Sequence, residues 1–140
     1  MVELAFTLTD QPDAQELQRI GENLAQFNDG DVGASGRRAI AVLVHADRTL
    51  VAGLSGYTAW GWLYVQWLWI AEAQRGHGLA GRMLAQAEKE AIGRGCHGAY
   101  IDTFSPHALR VYQRAGYAVF GELKDFPPGR TRSFLSKALA

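Results

Sequence analysis

Cys96 is the only cysteine among 140 residues, so no internal disulfide can form. That excludes the stapled scaffold of a small secreted domain and points to an intracellular, cytoplasmic setting. Excess charge is also missing, since 14 basic side chains balance 14 acidic ones. Nucleic-acid and membrane-surface partners usually demand a basic surplus, so neither is expected, and Arg37-Arg38 and Arg130/Arg132 are the only local basic candidates. No apolar run is long enough to cross a bilayer; the most hydrophobic stretch, Trp60 to Ala71, falls well short of the ~20 residues required. Met1 to Asp10 lacks the basic start and apolar run of a secretory signal. The four histidines, His45, His77, His97 and His107, show no metal-ligand spacing, so no metal is expected. Repeats, low-complexity tracts and internal linkers are absent too. The reading is a single domain, 1–140, with one hydrophobic core.

What is present is a 48% hydrophobic chain whose periodicity changes along its length. Leu4, Phe6 and Leu8 alternate, which predicts a first strand over Val2 to Leu8. Asp10 is placed to cap a helix with Pro12 in its first turn and Leu17, Ile20, Leu24 and Phe27 on its apolar face. Asn28 to Gly36, rich in Gly, Asp and Ser, reads as a loop. Three strands follow as an antiparallel meander: Arg38 to His45, Leu50 to Ala59 and Trp62 to Ile70. Leu79, Met83, Ala87 and Ala91 mark a helix from Gly78 to Arg94. Ala99 to Thr103 reads as a short buried strand. Pro106 opens another helix that ends at Gly116, and Tyr117 to Leu123 and Ser133 to Leu139 flank a Pro127-Pro128-Gly129 turn. The order β-α-β-β-β-α-β-α-β-β describes an α/β (α+β) fold: a mixed, mostly antiparallel sheet of about six to seven strands flanked by helices.

The segment Arg75-Gly76-His77-Gly78-Leu79-Ala80-Gly81 joins an apolar strand to an amphipathic helix. The first N–H groups of a helix have no partner within it, and the helix dipole is positive there. Glycine removes the Cβ that would keep an anion away from the backbone, and Arg75 adds a permanent positive charge. The segment therefore reads as a phosphate-binding loop. Gly76-x-Gly78-x-x-Gly81 matches the dinucleotide fingerprint, with Asp102 downstream. Against that reading, Ala71 to Arg75 separates the strand from the glycines, and too little chain follows for a series of parallel βαβ units. The nucleoside-triphosphate loop fails because Arg82 and Met83 stand where its lysine and its Ser/Thr should be.

Arg75-Gly76-His77-Gly78-Leu79-Ala80 resembles the coenzyme A loop of the GNAT superfamily of acyl-CoA-dependent N-acyltransferases. Ser105-Pro-His-Ala108-Leu-Arg-Val-Tyr112-Gln-Arg-Ala-Gly116-Tyr117 is similar to that family's second motif, with Ser105 in place of the common Asn. The order of elements agrees over essentially the whole chain. The resemblance implies acetyl-CoA as acyl donor, with its pyrophosphate on the backbone from Gly76 to Gly81, His77 included. It implies that Leu68, Trp69 and Ile70 pair with the pantetheine arm, that Ser105 lies beside that arm, that Ala99 to Thr103 splays away, and that Tyr112 sits near the sulfur. The reaction implied is acetyl transfer to a primary amine of a small molecule or protein.

In such a reaction a neutral amine attacks the thioester and a thiolate leaves, and a tyrosine hydroxyl is suited to protonate that thiolate. A backbone N–H near Trp69 to Ala71 is placed to polarise the carbonyl. The base is less defined. Tyr64 and Gln66 occupy the strand where the family often has a Glu, leaving Asp102, Glu72, His45, a water relay or an already neutral amine. That gap keeps open a second reading, an acyl-CoA-binding module with weak turnover; a Rossmann-like nucleotide-binding fragment is the third. Trp67 and Trp69 fall on one face of their strand and either pack against a helix or line an acceptor pocket. Phe27 to Arg38 and Asp125 to Arg132 are the expected acceptor walls. Arg130 and Arg132 are candidates to grip an anionic group, and the C-terminal strands are candidates to pair in a homodimer.

Overall fold

The computed structural model describes residues 2–139, in two compact units, one ending at Ser35 and the other beginning at Gly36. The first unit holds helix α1 (Ala14–Val32). Its cap is Asp13, not Asp10: the Asp13 carboxylate accepts the Glu16 N–H at 3.1 Å, and Pro12 lies ahead of the helix. The helix continues through Asn28–Val32, where composition suggested a loop, and stops at Gly33, whose φ of 92° only glycine adopts readily. Extending an existing helix adds a hydrogen bond per residue, which outweighs the weak propensities of Asn, Asp and Gly. Val2 to Leu8 form no strand. Their alternation says which side chains share a face, but a strand also needs a partner's N–H and C=O groups. No helix among the described residues is long and apolar enough to cross a membrane.

The second unit is built on a six-stranded sheet. In chain order the elements are β1 (Arg38–Ala46), β2 (Thr49–Ala59), β3 (Trp62–Ile70), α2 (Leu79–Gly93), β4 (Gly98–Thr103), α3 (Pro106–Arg114), β5 (Ala118–Lys124) and β6 (Thr131–Ala138). Across the sheet the order is β1-β2-β3-β4-β6-β5. Trp60 and Gly61, with φ of 47° and 79°, make the two-residue turn between β2 and β3. Every neighbouring pair is antiparallel except β3 and β4, which α2 joins as a crossover. A single parallel pair removes the dinucleotide-fold reading, which requires a series of them.

One face of the sheet carries Leu54, Leu63, Val65, Ile101 and Leu135, all buried, against Met83, Leu84, Ala87 and Ala91 of α2 and Tyr112 of α3. The polar groups that enter this layer are paired. Glu88 on α2 is 8% exposed and accepts from Tyr117 Oη at 2.9 Å and Lys137 Nζ at 2.7 Å, while the same Nζ donates to the Ala115 carbonyl at 2.8 Å. Arg94, after α2, donates to the Ala39 carbonyl and to Thr58 Oγ1, each at 3.1 Å, tying the helix end to β1 and β2. Buried carboxylate and guanidinium groups are tolerated only with such partners.

The parallel pairing of β3 with β4 covers Trp62 to Val65 against Gly98 to Ile101 and then ends. Beyond it the two strands part, β3 running on to Ile70 and β4 to Thr103. The parting coincides with a bulge: Gly56 pairs with Val65 and Ser55 with Trp67, so Gln66 is the extra residue. Gly56 lies under that bulge, and any Cβ there would run into the Tyr64 carbonyl. We therefore expect Gly56→Ala to destabilise the protein by about 2 kcal/mol, the cost of overpacking a site that backbone alone fills. Urea unfolding measures it, and an unchanged midpoint would show that the bulge relaxes freely.

Candidate active site

The loop into α2 is shaped by two left-handed glycines. After a 3₁₀ turn at Glu72–Gln74, Gly76 and Gly78 take φ of 80° and 74°, and Gly78 is the N-cap of α2. No side chain caps this helix, its first turn holds no acidic residue, and its first backbone bond runs from Arg82 N–H to the Gly78 carbonyl at 3.2 Å. The N–H groups of Leu79, Ala80 and Gly81 are therefore left without carbonyl partners in the helix. The space above Gly76, Gly78 and Gly81 is open. Arg75 Nε donates to the Ile70 carbonyl at 3.1 Å, fixing the arginine against the end of β3. Together these residues form one wall of a cavity of about 740 Å³, open to an anion.

The opposite wall is α3. Ser105 caps it, its Oγ accepting the Ala108 N–H at 3.2 Å, with Pro106 at the first helical position. His107, Val111 and Arg114 fall on one helix face and line the cavity with Ser105, Ala108 and Tyr112, while Leu68, Trp69 and Ile70 form its floor. Tyr112 is 6% exposed, and its hydroxyl makes no hydrogen bond among the described residues. Burial, and then the negative charge of Asp102, pushes its phenol up to about 12, so it remains a proton donor across the neutral range.

A second cavity, of about 290 Å³, shares Leu68, Trp69, Ser105 and Tyr112 with the first. It passes through the gap where β3 and β4 part. Leu68, Ile101 and Tyr112 line it from the face covered by α2 and α3, and Trp67, Trp69 and Asp102 line it from the opposite face. Asp102 is held there: Arg132 Nη1 donates to Oδ2 at 2.8 Å, and Tyr64 Oη lies 3.5 Å from Oδ1. Burial and the Asp102 charge raise the Tyr64 phenol as well.

Most residues singled out in sequence meet at these two cavities: Leu68, Trp69, Ile70, Arg75, Gly76, Gly78, Ala80, Gly81, Ser105 and Tyr112. Two do not line them. Leu79 packs against the core, and the His77 ring turns to the Gln74 carbonyl, 3.2 Å from Nδ1. Trp67 and Trp69 share a face as expected, the one away from α2. Of the base candidates, Asp102 lines the smaller cavity; Glu72 opens the 3₁₀ turn, and His45 sits near the end of β1. Arg132 is not free to grip an anion, because Asp102 occupies it, and Arg130 Nη1 donates to the Phe104 carbonyl at 3.2 Å. Sequence reading missed His107 and Arg114, whose seven-residue spacing on a helix beginning at Ser105 already places them on one face. Gln66 was weighed only as a missing carboxylate, whereas it is the bulge residue on the rim of the opening.

The site is thus a mostly antiparallel sheet that opens beside a helix start with no side-chain cap. Comparison with known proteins gives the class: the model of the "Acetyltransferase (GNAT) family" matches residues 5–117, and the chain belongs to that family. It is similar to Acetyltransferase Atu2258 of Agrobacterium fabrum, 43% identical over 133 residues, covering 94% of this chain and 97% of that one. It is also similar to the blasticidin-S acetyltransferase of Streptomyces morookaense, 41% identical over 91 residues, 64% of this chain and 67% of the relative. The crystal structure of an Agrobacterium tumefaciens protein assigned to the acetyltransferases superposes with a TM-score of 0.92 at 42% identity, covering 96% of this chain and 99% of that one. The family assigns the chain to the acetyltransferases, whose donor is acetyl-CoA.

The raised phenols have a consequence for stability. Tyr112 rises from 10.0 to about 12, and Tyr117 rises through burial and then the Glu88 charge and hydrogen bond. A raised folded-state value means that the stabilisation is complete below pH 10 and is lost as pH climbs from 10 towards 12, because the unfolded phenols ionise first. Urea midpoints should hold steady below pH 10 and fall above it, less steeply in Tyr112→Phe. A midpoint that rises above pH 10 would contradict this.

Proposed function

We propose that this protein moves an acetyl group from acetyl-CoA to a primary amine of a small molecule or protein, by direct attack on the thioester, in the cytoplasm. The observation that carries this reading is the meeting of two cavities at Tyr112, in the gap where β3 and β4 part. The larger cavity suits the donor. The backbone at Gly76, Gly78 and Gly81, with Arg75, would bind its pyrophosphate, with Arg114 and His107 adding positive or hydrogen-bonding character nearby. The edge of β3 from Leu68 to Ile70, left by β4, would pair with the pantetheine amides as a strand would. The thioester would then lie in the gap and the amine would approach through the smaller cavity.

The chemistry asked of the protein is modest, because a thioester is already activated. Holding donor and acceptor across a gap supplies the positional contribution. Tyr112 supplies the proton for the leaving thiolate; its freedom from other hydrogen bonds and its raised value suit a donor better than a base.

Acetyl-CoA and coenzyme A should each raise the thermal midpoint, and NAD should not. Thiol release across a panel of amines then separates turnover from binding. Stabilisation without release from any amine would favour an acyl-CoA-binding module, and no stabilisation by either thioester or thiol would sink both readings. Tyr112→Phe should lower kcat about tenfold to a hundredfold while leaving acetyl-CoA affinity within about twofold, as removal of a general acid does. Wild-type kcat in that variant would take Tyr112 out of the mechanism.

A further inference from the structure

The smaller cavity has a chemical character of its own. Two indoles, Trp67 and Trp69, 68% and 50% exposed, stand on one face beside a single carboxylate, Asp102, whose side chain is 17% exposed. That carboxylate is unusually well fixed. Arg132 Nη1 holds Oδ2 at 2.8 Å, and the Arg132 guanidinium carbon itself lies 4.1 Å from the ring centre of Phe126 and 5.2 Å from that of Phe104. Arg130 ties the β5–β6 turn to the Phe104 carbonyl, and the turn is closed by Arg130 N–H to the Pro127 carbonyl at 2.9 Å. Among the described residues the buried Arg132 Nε has no partner. Asp102 Oδ1 meets only the long 3.5 Å approach of Tyr64 Oη among those residues and retains acceptor capacity.

We propose that Asp102 Oδ1 is the anchor for the acceptor's ammonium, that Arg132 is the positioning residue that aims it, and that the acceptor is a primary ammonium on a flat apolar body seated against Trp67 and Trp69. The inference rests on the acetyl-transfer reading and specifies its acceptor. A carboxylate with one oxygen tied to an arginine and the other left open among aromatic faces is chemistry suited to an organic cation. The anchored ammonium gives one proton to Asp102, and the freed amine attacks the thioester carbon. The C–N bond forms and the C–S bond breaks. The thiolate takes the Tyr112 proton, Tyr112 regains one from the acylated nitrogen, and the proton on Asp102 leaves to water.

The test pairs phenethylamine, cationic at neutral pH, with aniline, neutral there, and with ethylamine, cationic without a ring. Calorimetry on the protein–coenzyme A complex gives binding, and thiol release from acetyl-CoA gives turnover. Asp102→Asn should weaken phenethylamine binding and lower its kcat/KM about tenfold or more, a far larger loss than for aniline, with acetyl-CoA affinity within about twofold. Arg132→Gln should raise KM for phenethylamine but not for aniline, and Arg132→Lys should recover part of the loss. Ethylamine should bind more weakly than phenethylamine yet show the same dependence on Asp102. Equal losses for phenethylamine and aniline in Asp102→Asn, or no loss for either, would overturn the anchor while leaving acetyl transfer standing. Equal affinity for ethylamine and phenethylamine would overturn the flat apolar body. Asp102-dependent binding without thiol release would leave the anchor standing and sink acetyl transfer.

Discussion

The separation of β3 from β4 after Val65 and Ile101 is the constraint on which the rest of the site depends. A sheet that stayed paired to the ends of both strands would consume the β3 N–H and C=O groups in a ladder and leave no way through. Instead β3 gains a residue at Gln66, and the bulge bends the strand just where its parallel partner stops. Gly56 permits the bend because nothing larger than hydrogen fits beneath the Tyr64 carbonyl. Polar backbone left open inside a protein is costly, so the unpaired edge of β3 lining a cavity must be met by water or by a bound group.

Around this opening the two faces of the sheet do different work. The face toward α2 and α3 is dry and tightly filled, with Leu54, Leu63, Val65, Met83, Leu84 and Leu135 each at 1% exposure or less. It includes Tyr112 and anchors the helix that the glycine loop opens. The other face, beside the gap, carries aromatic rings and ionised groups: Trp67, Trp69, Tyr64, Asp102 and Arg132. Tyr112 is the one side chain that belongs to the core and borders both cavities.

The elements that local rules govern were readable in the chain. The meander, both helices of the second unit with Pro106 opening the later one, and the glycine loop each follow from spacing, helix-start chemistry or positive φ. What escaped is what pairing across the sheet decides. Asp102 and Arg132 lie thirty residues apart and meet only because β6 inserts beside β4, opposing Asp102 to Phe134 and bringing Arg132 diagonally alongside. No periodicity announces that insertion. Likewise the alternation of Leu4, Phe6 and Leu8 carries no information on whether a partner strand exists, and the Asn28–Val32 composition none on whether a helix already running will stop.

Burial, and then the Asp102 charge, disfavours ionisation of Tyr112, and on the proposal above the same negative charge would draw a cation to the smaller cavity. Arg132 opposes both effects by partial neutralisation, yet without it the carboxylate would be free to turn toward solvent. The arrangement found, one oxygen held at 2.8 Å and the other left with a single 3.5 Å neighbour, keeps orientation while leaving acceptor capacity. Arg in place of Lys suits that purpose, because a planar guanidinium can lie against the Phe104 and Phe126 rings and still present one N–H at a fixed angle. The β5–β6 turn therefore contributes to the site through the Phe126 ring and its backbone closure.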